Sequence, residues 1–193
     1  MTYEEFTQKD AFTREELLAF SRGTLVDRPP EGFLSRLPAP PLLMLDRISG
    51  IDTSEQGGWI IGEQDLDPDA WYFRCHLLDD PIHPASLHTE AIWQLLGFYC
   101  SLQGVLGVGR AIGCGEIHLQ EEIRPSRQSI RYEVLVKRVC HLKETNATYA
   151  IGDGRISLNG QPIGQVADAK VGFFMTNHQI NRRENKADTE KGN

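Results

Sequence analysis

The longest apolar stretch of the chain repeats with a helical period. Leu87, Ala91, Trp93, Leu95, Leu96, Phe98, Tyr99 and Leu102 cover most of a helical wheel, so residues 86–102 predict a helix buried nearly all round. Within it Glu90 stands where an unpartnered carboxylate is expensive. Pro84 marks the expected start of this helix. Beyond it the period falls to two. Ile130, Tyr132, Val134 and Val136 alternate with Arg131, Glu133, Leu135 and Lys137, as in a half-buried strand. Residues 110–119, 129–142, 144–158 and 164–174 predict four strands after a loop at 104–109, with Asn159-Gly160 as the turn between the last two.

The N-terminal third is more mixed. Thr13 and Glu16 form a capping-box pattern ahead of Leu17, Leu18 and Phe20, and Gly23 closes the short amphipathic helix they predict on the outside of the core. Residues 28–41 are proline-rich and read as an extended connector. Leu42–Ile48 predicts a first strand, and Gly57-Gly58 a hairpin turn into a second beginning at Trp59. The polar residues 176–193 lack an apolar pattern and predict disorder. These elements give an N-terminal extension (1–12), one domain (13–175) and a tail. The class is α+β, an antiparallel sheet wrapped around one long helix. Such a sheet leaves an edge open, and pairing that edge with a second copy predicts a homodimer.

Composition narrows the function. The 193 residues suffice for one core. A net charge of −7 argues against a nucleic-acid or anionic-membrane partner. An acidic carrier protein would need a local basic patch, for which Arg124, Arg127, Arg131, Lys137 and Arg138 are candidates, although scattered cations on strands commonly form an ordinary solvated face. Four dispersed cysteines without a CxxC pair, and no signal-like N-terminus, point to a reducing, cytoplasmic setting. The helix at 86–102 approaches a membrane span in length, but His88, Glu90 and Gln94 oppose that reading.

The candidate chemistry lies just before and within that helix. An imidazole at His76 and a carboxylate at Glu90 in an apolar cleft are suited to general acid and base catalysis. The alternative is a structural histidine and a carboxylate satisfied by backbone amides. Cys75, His76, His83, His88 and Glu90 are all residue types that bind zinc, but their spacing matches no usual signature, so no metal and no other cofactor is expected. A Cys75 nucleophile activated by His76 is disfavoured because neighbours on a strand face opposite ways.

Cys75-His76, the turn Asp80-Pro-Ile-His-Pro84 and the run Glu90–Tyr99 resemble the beta-hydroxydecanoyl-acyl carrier protein dehydratase/isomerase family of bacterial fatty acid synthesis. Leu37-Pro-Ala-Pro40, Met44-Leu-Asp-Arg47, Asp67–Trp71, Gly109–Gly113, Gly115-Glu116, Lys137-Arg138 and Asp168–Phe174 extend the likeness over residues 13–175. The resemblance implies a hot-dog fold and a dimer whose two active sites are shared between subunits. It makes His76 the base that removes the proton beside the thioester carbonyl and Glu90 the acid that protonates the departing hydroxyl. It assigns the backbone amides of Cys75 and Ala85 to the thioester carbonyl, and an acyl carrier protein to substrate delivery. Three departures stand out. Ala85 occupies the family's helix-start glycine, His83, His88 and Thr89 replace apolar or small residues, and Glu90 replaces the usual aspartate of the decanoyl branch. Related dehydratases without isomerase activity use glutamate there.

The expected reaction is dehydration of a 3-hydroxyacyl thioester to a trans-2-enoyl product, with trans-2/cis-3 isomerisation as a further step. Alternatives are a specialised isomerase, a polyketide-type dehydratase for a more polar chain with His83 and His88 in its pocket, or a non-catalytic acyl-binding subunit. A thioesterase is less expected, since no second carboxylate is evidently placed to activate water.

Overall fold

Two N-terminal capping boxes set the first helices. Thr2 with Glu5 starts α1 (Tyr3–Gln8), and Thr13 with Glu16 starts α2 (Arg14–Arg22), which Gly23 ends at φ 75°. The computed structural model describes residues 1–54, 57–142 and 144–175. The tail expected at 176–193 lies outside the described residues.

After α2 come β1 (Arg47–Asp52), β2 (Trp59–Asp65), α3 (Trp71–Cys75), α4 (Ala85–Leu102), β3 (Val108–Gly113), β4 (Ile117–Leu119), β5 (Ser129–Leu142), β6 (Ala147–Leu158) and β7 (Gln161–Phe174). All ladders are antiparallel, in the order β1-β2-β5-β6-β7-β3, with β4 also on β7. The strand expected at 110–119 is therefore broken into β3 and β4, because the chain leaves the β7 ladder between Gly113 and Ile117. Asn159 and Gly160 both take positive φ in the β6–β7 turn, as a two-residue hairpin requires.

The first expected strand is corrected too. Residues 42–46 are not a strand, and β1 begins only at Arg47. The reason is local chemistry. Pro38, Pro40 and Pro41 have no amide to donate, and the next backbone groups bond to a helix side chain: Met44 N–H donates to Gln94 Oε1 (3.0 Å), and Gln94 Nε2 donates to the Leu42 carbonyl (2.8 Å).

α4 lies on one face of the sheet, contacting β2, β5, β6 and β7. Gly62 and Gly154 permit the close approach. A Cβ at Gly62 would stand 2.7 Å from Leu95, and one at Gly154 2.6 Å from Ile92. Burial of α4 is less complete than the wheel predicts, because Glu90, Trp93 and Gly97 form a half-buried stripe facing a groove. Phenylalanines pack beside that stripe. Phe12 and Phe20 meet Phe98 at 4.9 and 4.8 Å between ring centroids, and fully buried Phe6 stacks on Phe20 at 5.5 Å.

Residues 1–12 thus contribute to the core through Phe6 and Phe12. Phe6→Ala is expected to cost about 3–5 kcal/mol, the range for emptying a buried aromatic site. Urea unfolding followed by tryptophan fluorescence measures this, and a loss below about 1 kcal/mol would mean that α1 is dispensable.

Candidate active site

His76 caps the C-terminus of α3, so it follows a helix end rather than lying on a strand. Its amide donates to the Tyr72 carbonyl (3.0 Å), and ring Nδ1 lies 3.1 Å from the Ile82 carbonyl oxygen. A carbonyl only accepts, so Nδ1 carries a proton, and in the neutral ring Nε2 then presents the lone pair a base needs. Cys75 is the last residue of α3; it is exposed, with Sγ 3.7 Å from the Tyr72 carbonyl. An ion pair between Arg124 and Asp80 ties down the following loop, and His83 N–H donates to the Ile123 carbonyl at 2.7 Å.

That loop leads into the N-terminus of α4. Pro84 is the N-cap, no side chain caps the end, no acidic residue occupies its first turn, and Ala85 and Ser86 are exposed. The end therefore offers unshielded amide hydrogens and the positive pole of an 18-residue helix. Such a site favours developing negative charge on an oxygen.

Glu90 lies farther along α4, on the wall of a cavity of about 320 Å³. It is half-buried and not the isolated buried charge expected from the wheel, because Gln94 Nε2 donates to Oε1 at 2.9 Å. Gln94 is thus a site residue that sequence reasoning passed over. Its i, i+4 spacing from Glu90 was the available signal. His76 does not line this cavity, and among the described residues no hydrogen bond or ion pair joins His76 to Glu90.

His83 and His88, expected in the pocket, are placed elsewhere. Both are buried and neither lines the Glu90 cavity. Their rings stack at 4.4 Å, and Tyr72 packs on His83 at 4.6 Å. Tyr132 O–H donates to Gln64 Oε1 (3.1 Å), so it accepts from His88 Nδ1–H (3.0 Å). His83 Nδ1 lies 3.2 Å from the Pro84 carbonyl, while its buried Nε2 has no partner among the described residues. Burial lowers the His83 pKa to about 4, opposed by the Pro84 bond and aided by His76. It lowers that of His88 to about 3, with His83 adding to the effect. Both imidazoles are neutral and act as packing polar groups.

The zinc-type residues do not converge, since among the described residues no three His, Cys, Asp or Glu side chains could hold a metal ion together. The basic patch is largely consumed: Arg124 pairs with Asp80, Arg131 with Glu63 (3.5 Å), and Lys137 with Asp153 and Asp168 (2.7 and 2.9 Å). Arg127 and Arg138 have no ion pair among the described residues. Among those residues no helix is long and apolar enough to cross a membrane.

Comparison with known proteins fits this geometry. Residues 37–167 match the FabA-like domain. Among solved structures, the dehydratase heterocomplex ApeI:P from Xenorhabdus doucetiae superposes with a TM-score of 0.52 at 12% identity, covering 82% of this chain and 99% of that one. AziG from S. sahachiroi gives 0.47 at 8% identity over 67% and 91% of the two chains. PaaI from the E. coli phenylacetic acid degradation operon gives 0.46 at 11% identity over 67% and 78%. The family match and the likeness to the dehydratase heterocomplex show the fold, a hot-dog-like antiparallel sheet with a helix packed on it.

The buried histidine pair predicts acid lability. Histidines whose folded pKa is depressed contribute stability above pH 6.5 and lose it as the pH falls toward 4 and 3, because the unfolded chain takes up the protons first. The loss for His88 is on the order of 3 kcal/mol between pH 7 and 4. Urea midpoints at several pH values should therefore fall less steeply in His88→Gln than in the wild type, and parallel curves would contradict the burial argument.

Proposed function

The chain belongs to the FabA-like domain family, and from that membership and the disposition of His76, Glu90 and the start of α4 we propose that it is a 3-hydroxyacyl thioester dehydratase. The observation that carries the reading is the Nδ1–Ile82 bond, which leaves His76 Nε2 free beside an uncapped helix N-terminus. Nε2 removes the proton on the carbon next to the thioester carbonyl. The amide of Ala85, free at the start of α4, holds the negative charge that develops on the carbonyl oxygen, whereas the Cys75 amide that the resemblance also assigns to it lies in the last turn of α3 and is spent within that helix. Glu90 gives its proton to the 3-hydroxyl as the C–O bond breaks, so water and a trans-2-enoyl thioester leave and one proton has passed from substrate to His76. Return of that proton from His76 to Glu90 resets the site.

Because His76 does not line the cavity on whose wall Glu90 lies, the reading takes a homodimer in which each site draws its histidine from one protomer and its glutamate from the other. One free edge is β3, which pairs with β7 on one side and with no strand on the other among the described residues; β1, at the other end of the order, is bridged at Ile48 by Phe12. Arg127 and Arg138 supply the unpaired positive charge for an acidic acyl carrier protein. The four cysteines are all free thiols, consistent with a reducing cytoplasmic setting. Glutamate in the acid position favours a reaction that stops at the trans-2 product. That a dehydratase heterocomplex shares the fold supports the hydro-lyase reading.

Single turnover of 3-hydroxyacyl-carrier protein, with hydroxy, trans-2, cis-3 and free-acid products resolved, tests the reaction. Wild type should form the trans-2-enoyl thioester, and His76→Ala and Glu90→Gln should each lower the rate about 10²–10⁴-fold. A cis-3 product would add isomerisation. Free acid with released thiol would make the protein a thioesterase, and binding without turnover a non-catalytic acyl carrier.

A further inference from the structure

Base chemistry at His76 depends on which ring nitrogen holds the proton. A neutral imidazole without a partner exchanges its proton between the two nitrogens, and a hydrogen bond at one of them selects the tautomer. Here the selecting partner is the Ile82 carbonyl, 3.1 Å from Nδ1. Whatever holds that carbonyl in place therefore decides whether Nε2 is bare.

Packing within the protomer does not hold it. From Leu77 to Ile82 no residue is buried, and Leu77 and Leu78 are 53% and 80% exposed. Backbone preference does not hold it either, since Leu77 takes φ 52°, a conformation leucine rarely adopts. The loop closes on itself where the Asp80 amide donates to the Leu77 carbonyl at 3.0 Å. Beyond that turn and the His76 bond, the ion pair of Asp80 with Arg124 is what ties residues 77–82 to another part of the chain among the described residues.

The residue before Arg124 supplies a second tie. The Ile82 carbonyl and the His83 N–H belong to one trans peptide and point to opposite sides of it. His83 N–H donates to the Ile123 carbonyl at 2.7 Å, so that bond turns the other side of the same peptide toward His76. Ile123 is 2% exposed, which anchors its carbonyl in the core. The two bonds through one peptide polarise each other in the same direction. Glu122 approaches the Arg124 guanidinium at 3.5 Å, but it lies in the same segment and adds no tie to the loop.

We propose that Arg124 is a positioning residue: its ion pair with Asp80, beside the Ile123 carbonyl, holds the Ile82–His83 peptide in the orientation that keeps the His76 proton on Nδ1. The proposal rests on the reading of His76 as the base. The pair is exposed at both ends and adds little to global stability. Its work is local, since Asp80 stands two residues before the carbonyl that must not swing away.

Long-range proton–nitrogen NMR of the full chain, labelled with ring nitrogen-15 histidine, reads the tautomer without turnover, because protonated and bare ring nitrogens resonate far apart. His76→Gln identifies the His76 signals by their loss. In mildly alkaline buffer wild type should carry the proton on Nδ1 alone. Arg124→Gln and Asp80→Asn should each move both signals toward an average of the two tautomers and lower the single-turnover rate at saturating substrate about tenfold. The half-saturating concentration should stay unchanged, and both variants should melt within about 4 °C of wild type. An unchanged tautomer in either variant, a rate that does not follow the tautomer, or a wild type already divided between tautomers would overturn the positioning role. The expected tautomers with no dehydration by wild type would overturn the base reading alone.

Discussion

Three prolines before β1 deprive their segment of the amide donors that would make it a strand, so something else must fasten it, and the side-chain amide of Gln94 does so. Its oxygen takes the Met44 amide, and its nitrogen serves both the Leu42 carbonyl and the Glu90 carboxylate. One group thereby links the candidate acid to the wall of the cavity it faces. Without it the buried Met44 amide would be unsatisfied, at a cost of about 1–3 kcal/mol, and Glu90 would lose the contact that orients it. The course of residues 42–44 along α4 and the direction of Glu90 follow from this clamp.

Environment divides the histidines between two kinds of work. His76 stands at a helix end with one nitrogen tied to a carbonyl and the other free, which suits proton transfer. His83 and His88, within a dozen residues of it, are stacked, buried and held neutral by desolvation. They are tied into the interior through Tyr132, Gln64 and Tyr72.

Local signals in the sequence were read well where local physics governs. The alternation of residues 129–142 marks β5 to the residue, the Thr13 box starts α2, and Asn159-Gly160 turns β6 into β7. The same capping signature at Thr2 and Glu5 was there to be read and starts α1. What stayed hidden depends on long-range partners. Leu42–Asp46 carries a strand-like composition but bonds to a glutamine 50 residues away. His88 is satisfied in the interior because Tyr132, 44 residues on, accepts a hydrogen bond from its ring. Glu90 and His76 were identifiable as chemistry-bearing residues, yet no pattern in the sequence shows that His76 lies outside the Glu90 cavity of its own protomer.

That separation is the central claim, and mixing two crippled proteins tests it most directly. His76→Ala and Glu90→Gln homodimers, each inactive alone, would be unfolded together, refolded as a mixture and assayed for enoyl thioester. If the site is shared, each mixed dimer contains one site with both residues intact and one with neither, so activity should reappear to about a quarter of wild type, since about half the dimers are mixed. No recovery from refolded mixed dimers would contradict the account and place both residues in the same protomer's site or outside the chemistry altogether.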